Sequence, residues 1–203
     1  MRVPYAQSNP PADSSADVTQ VYDQIRARRH PRPLIPLDLA LLNSPPVASG
    51  WSSFLGAIRG QTSLESRVSE LPISRVAVLN QAVHEWEVHG ALAHKAGVSQ
   101  EGMETVRTAQ AGVAESGQKG NGEGGLSKKE WALIAYTDQM TTKVKVDDAV
   151  FARLKEVGFS DREVVEITAT VAAYNCVSRF LVALDVGEEN GHALKSVEEL
   201  SNT

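Results

Sequence analysis

Cysteine is nearly absent from these 203 residues; the only one is Cys176. A single cysteine excludes an internal disulfide framework, a cysteine-rich zinc site and a Cys-x-x-Cys redox pair. There is no basic stripe, and the formal net charge is −5, so nucleic acid is not an expected partner. No segment reaches the roughly 18 consecutive apolar residues of a membrane span. Met1-Arg2-Val3-Pro4-Tyr5 runs on into Ser, Asn, Pro and Asp, not into the apolar stretch of a signal peptide. A soluble, cytoplasmic protein with no membrane partner is therefore expected. β-Branched residues do not alternate over useful lengths, so strands are not expected either. What is present is an ordinary globular composition, 42% hydrophobic and 22% charged, at a length that suits one domain with extensions.

The pattern along the chain is helix after helix. Residues 1–14 contain Pro4, Pro10 and Pro11 and are expected to form an extended arm with no core of its own to join. Val18, Val21, Tyr22 and Ile25 make one stripe of a half-buried helix over 15–29. Pro31, Pro33 and Pro36 then argue against regular helix. Ser44-Pro45-Pro46 starts a helix through Trp51, Phe54 and Ile58 to Gly60. Further helices are expected over 66–81, 83–95, 99–109 and 148–158. Two serine–glutamate capping boxes, Ser127/Glu130 and Ser160/Glu163, open helices 127–142 and 160–184. The last is apolar nearly all round and should be central. Residues 112–126 hold six glycines and read as a surface loop or a lid. Asp138 and Lys143 look like surface charges. The fold class is all-α, divided as an arm and helix over 1–30, a helical domain over 31–190 and a tail over 191–203.

Three of the five histidines, His84, His89 and His94, fall in one helical segment. Glu85 and His89 are four apart and share a face, so the carboxyl could hold the imidazole in one tautomer. In an arbitrary protein such a pair is a solvated helix surface. His84-Glu85 with His89 resembles a zinc-protease motif, but the two histidines are five apart, about 140° around a helix. No metal site is expected.

The runs Glu70-Leu71-Pro72-Ile73-Ser74-Arg75-Val76-Ala77-Val78-Leu79-Asn80, Glu85-Trp86-Glu87-Val88-His89 and Ala96-Gly97-Val98-Ser99 resemble the carboxymuconolactone decarboxylase and alkylhydroperoxidase D superfamily. Tyr174-Asn175-Cys176-Val177-Ser178-Arg179-Phe180-Leu181 is similar to the last helix of its decarboxylase-like branch. The resemblance covers about Arg32 to Glu189. It implies an alkylhydroperoxidase D-like bundle of about eight helices that assembles as a homo-oligomer, trimer or hexamer. In the peroxidase branch a glutamate precedes a Cys-x-x-Cys pair and a histidine follows it. At that spacing the positions here are Glu70, Ala82, Glu85 and His89. Both redox sulfurs are thus missing, and Cys176 matches neither.

The remaining set, His89, Glu70 and Glu85, suits proton transfer, with two carboxylates and an imidazole pushing their pKa values apart. The expected activity is a cofactor-free acid/base enzyme, a decarboxylase-like lyase acting on a small carbonyl, lactone or aromatic acid. The alternative is a catalytically silent oligomeric scaffold or ligand-binding protein, and a thiol peroxidase is disfavoured. Trp86, Arg75, Asn175 and Arg179 are candidate substrate-binding residues. For Trp86 plain packing is the favoured reading, and for the two arginines a structural salt bridge is. His89 is expected to face an apolar pocket with Glu70 and Glu85 within direct or one-water reach.

Overall fold

The computed structural model describes residues 1–115 and 121–201. They form ten α-helices and no strand. These are α1 (Ala16–Arg29), α2 (Pro36–Leu41), α3 (Pro45–Gly60), α4 (Ser66–Leu79), α5 (Val83–Lys95), α6 (Gln100–Thr108), α7 (Lys128–Thr142), α8 (Asp148–Glu156), α9 (Asp161–Leu184) and α10 (Val197–Ser201). The all-α bundle expected from the sequence is thus what the chain forms. The chain divides into two compact units, residues 1–62 with 180–188, and residues 63–179 with 189–203. Helix α9 contributes residues to both.

In the first unit Tyr22, Ile25, Leu41, Leu42 and Ala48 are buried together, with Ala6, Leu34, Trp51 and Phe180 packed on them. Two expectations are corrected here. Pro36 does not stop a helix but starts α2, because proline's missing N–H is harmless in a first turn. The buried Asp38 secures that turn by accepting from the Ile35 N–H at 3.0 Å and from Arg29 Nε at 2.8 Å. The N-terminal arm also has a core to join. The Ala6 N–H donates to the Leu39 carbonyl at 3.0 Å, and Asn43 Nδ2 donates to the Pro4 carbonyl at 2.9 Å.

In the second unit the two capping boxes form as the sequence requires. The Glu130 and Glu163 carboxylates accept from Ser127 and Ser160, each through both the backbone N–H and the hydroxyl. Glu199 closes a third box on Ser196 and starts α10, where the sequence suggested only a tail. Val197 and Leu200 of that helix are buried. Helix α9 joins the core through polar pairs as well as apolar ones. The Tyr136 and Thr168 hydroxyls meet at 2.8 Å, and Asn175 Nδ2 donates to Thr141 Oγ1 at 3.0 Å.

α9 departs from expectation in two ways. By length and hydropathy it is apolar enough to cross a membrane, which the count of consecutive apolar residues missed. It is also not enclosed all round, since Val165, Ala172 and Cys176 are exposed. The carbonyls of Gly124 and Gly125 are anchored to α6 by Thr105 Oγ1 at 2.8 Å and Ser99 Oγ at 3.2 Å. The part of the expected loop or lid at 116–120 lies outside the described residues.

Candidate active site

The site begins with a turn. α4 ends at Asn80, and Gln81 takes the left-handed region at φ 54°. The Ala82 N–H then bonds to the Ala77 carbonyl at 2.9 Å, and the Gln81 N–H to Val78 at 3.2 Å. This is the paired closure usually made with glycine at the left-handed position. Here the Gln81 amide adds a 2.8 Å bond back to the Val78 carbonyl. The closure turns the chain at once into α5, so α4 and α5 form a tight helical hairpin.

Across that hairpin, His89 Nδ1 lies 2.7 Å from Glu70 Oε2, with the imidazole side chain 12% exposed and the carboxylate 6%. Against an ionised Glu70 carboxylate, which only accepts, Nδ1 is the donor of this bond. Tyr174 of α9 packs against the imidazole edge-on, ring centroids 4.7 Å apart and planes at 77°. Tyr174 was not among the sequence candidates. Its buried position in an apolar helix gives no sign that it faces a histidine from far earlier in the chain.

Glu85, one helical turn before His89, is 2% exposed, and neither carboxyl oxygen has a hydrogen-bond partner among the described residues. The expected approach of Glu85 to His89 is therefore not a direct hydrogen bond, whereas that of Glu70 is. Burial pushes the Glu85 carboxyl well above the usual carboxylate range, favouring its neutral form. The consequence for stability follows from linkage. The unfolded chain releases this proton near the ordinary value of 4.5, while the folded chain keeps it to higher pH. Folded protein thus loses stability as pH rises above that value, until the folded group itself ionises. Glu85→Gln has no proton to lose. Denaturant titrations from pH 4 to pH 8 should show wild type falling behind this variant by up to about 1.4 kcal/mol per pH unit. Parallel stability curves would show that Glu85 ionises normally in the fold.

The remaining candidates have structural partners. Trp86 is fully buried, and its Nε1 donates to the Lys195 carbonyl at 2.9 Å, pinning the segment before α10. Gly90 permits this packing, because a Cβ there would lie 2.7 Å from Leu200 Cδ1. Arg75 and Asp138 are both 0% exposed and form a two-point ion pair, 2.6 Å at Nε and 3.1 Å at Nη2. Arg75 Nη1 also donates to the Val106 and Ala109 carbonyls. That position does not suit a substrate-binding arginine. It also corrects the placing of Asp138 on the surface, since a buried guanidinium draws its counter-ion inside. Asn175 ties Asn80, Thr141 and Val171 together, and Arg179 donates to Asn175 and to the Thr141 carbonyl at the end of α7. Among the described residues no group of His, Cys, Asp and Glu is arranged to hold a metal ion. Two surface hollows, one beside Trp131 and Arg153 and one between α6 and α10, are lined by none of Glu70, Glu85 and His89.

Residues 45–118 match the model of the carboxymuconolactone decarboxylase family, a span that includes Glu70, Glu85 and His89 but not Tyr174. No curated protein matches the chain. Solved structures share the fold at low identity. One is an uncharacterized peroxidase-related protein from Ralstonia eutropha JMP134, described as an alkylhydroperoxidase AhpD core. It is 16% identical, with 98% of this chain and 94% of that one covered and a TM-score of 0.66. A peroxidase-related protein from Silicibacter sp. TM1040 is 18% identical, with 90% and 91% covered and a TM-score of 0.65. The debrominase Bmp8, a cysteine-to-alanine variant in complex with 2,3,4-tribromopyrrole, is 12% identical, with 96% and 94% covered and a TM-score of 0.64. The carboxymuconolactone decarboxylase family's model thus matches the segment that forms the hairpin, and the chain shares the fold of these alkylhydroperoxidase D-like neighbours along most of its length.

Proposed function

We propose that this chain is a cofactor-free acid/base enzyme, a decarboxylase-like lyase or a related isomerase or dehydratase, acting on a small carbonyl, lactone or aromatic acid. One observation carries this reading: a buried carboxyl without a partner stands one helical turn from a histidine that a second carboxylate orients. Glu70 fixes the tautomer of His89, so that Nε2 takes a proton from the ligand or returns one. Glu85, whose neutral form burial favours, donates a hydrogen bond to the oxygen where enolate charge develops. A protein of this fold has been solved with a small aromatic ring, 2,3,4-tribromopyrrole, which supports a small planar ligand here. The family resemblance adds a homo-oligomer, and the acidic charge balance with no basic stripe or signal-like stretch supports a cytoplasmic enzyme that uses neither nucleic acid nor membrane.

The test is a panel of aromatic acids, lactones and β-keto acids incubated with pure protein and followed by mass spectrometry. Conversion that disappears in His89→Ala supports the reading. No conversion across the panel would put a silent ligand-binding scaffold in front. A second expectation concerns the redox branch of the family. With Ala82 and Glu85 at the thiol positions, no thiolate attacks a peroxide and none resolves the product. A coupled peroxide-consumption assay should show no turnover. Turnover abolished by Cys176→Ser would overturn this.

A further inference from the structure

We infer that Glu85 receives the neutral carbonyl oxygen of the ligand, as in a lactone, a ketone or an aldehyde, and that a carboxylate is refused at this point. The inference rests on the proposed acid/base reading and deepens it by naming the chemical class of the docked group. Its starting point is the orphan carboxyl. Burying a polar group without a partner is unfavourable, and both Glu85 oxygens are buried so. A carboxyl in its neutral form offers one donor and one acceptor, the complement of a carbonyl and of any O–H or N–H beside it.

The hairpin that carries Glu85 brings no counter-charge against its carboxyl. Arg75 of α4 is fully buried against Asp138. Arg67, the other arginine of α4, is held by Glu130 at 2.6 Å. On α5, His89 is bonded to Glu70, so protonation there makes a pair with no net charge. His94 Nδ1 meets the Val98 carbonyl at 3.0 Å, and His84 lies on the half-buried first turn. Lys95 is at the exposed far end of the helix. From α9, the group that faces His89 is the uncharged Tyr174. A ligand carboxylate beside Glu85 would thus be a buried charge with no cation to answer it, which is strongly unfavourable. A carbonyl oxygen brings no such charge and satisfies the O–H.

Binding to the full-length protein at pH 7 tests this with four probes. Cyclohex-2-enone and α-angelica lactone carry a neutral carbonyl, and cyclohex-1-enecarboxylate and benzoate are anionic counterparts of similar size. Titrations followed by ligand-observed NMR should give neutral probes at least about 10-fold tighter binding than the anions, the factor that one lost hydrogen bond sets. Glu85→Gln keeps a donor and an acceptor at nearly constant shape and should hold the neutral probes within about 3-fold of wild type. Glu85→Leu should lose about 10-fold or more. Its thermal melt should be no lower than that of wild type, because it removes a buried group without a partner. Equal or tighter binding of the anions, no binding of the neutral probes, or unchanged affinity in Glu85→Leu would each overturn the inference. Deuterium exchange of the enone and lactone α-protons in D2O separates it from the reading beneath. A preference for neutral probes with no exchange ends the acid/base reading and leaves the docking assignment. Exchange or conversion of anionic probes only does the reverse.

Discussion

Replacing His89 with alanine is expected to lower turnover by about 10²- to 10⁴-fold, the usual contribution of one positioned general acid or base. The substrate is whichever panel member the wild type converts. His89 is the most accessible member of the site group, yet its ring is fixed from two sides, by Glu70 at 2.7 Å and by the Tyr174 ring. Alanine removes the proton carrier and the ring contact together. The substitution is expected to leave the fold in place, because a partly exposed ring contributes less to packing than the fully buried neighbour Trp86 does. Glu70→Gln should lower turnover less. The amide still reaches Nδ1, but it no longer favours the protonated ring or the correct tautomer. The decisive readout is steady-state kinetics beside a thermal melt. Activity within about 3-fold of wild type in His89→Ala, with the melt unchanged, would remove His89 from the chemistry.

How much of this site was legible in the sequence differs residue by residue. Glu85 and His89 sharing a face follows from helical period, and both indeed lie on α5. Period gives direction but not depth, so it could not tell that Glu85 would be buried without a partner. The Glu70–His89 pairing rested on resemblance, because it crosses a turn whose geometry no local rule signals. Gln81 occupies a left-handed position that a reader would assign to glycine or asparagine. Tyr174 was invisible as a site residue, since its position depends on how α9 packs against α5.

The fold was easier to read, because most of its signals are local. Ser127 with Glu130 and Ser160 with Glu163 sit at the spacing of two carboxylate–serine closures, and both form. The same spacing at Ser196 and Glu199 forms a third closure, in a short and polar C-terminal stretch whose composition alone suggests a tail. Pro31 and Pro33 lie outside any helix as expected, and Pro36 alone departs from expectation, because proline's effect depends on its position in a turn. Pro36 stands where no N–H is needed. Asp138 was misplaced for a different reason. Its partner Arg75 comes from another helix, and neither position alone reveals a buried pair.

That pair carries the largest expected effect on stability. Asp138→Ala should destabilise the protein by about 3–5 kcal/mol, since it leaves the fully buried Arg75 guanidinium without its counter-ion. It also removes the acceptor of the Gly112 N–H, bonded to Asp138 Oδ2 at 2.9 Å. For a chain of this size that is a fall of roughly 6–20 °C in melting temperature. Arg75→Met should cost a similar amount by stranding Asp138 and freeing the Val106 and Ala109 carbonyls at the end of α6. The double variant Arg75→Met with Asp138→Leu should recover most of the loss, because two apolar side chains leave no buried charge unpaired. Denaturant unfolding of the four proteins completes the cycle, and single-variant losses below about 1 kcal/mol would show that the pair is not the structural tie described here. The same set decides whether Arg75 also serves substrate. A substrate-binding arginine would raise KM in Arg75→Met at temperatures where the variant is folded. A structural one lowers the melting temperature while kcat and KM measured well below it stay close to wild type, and that is the expected outcome.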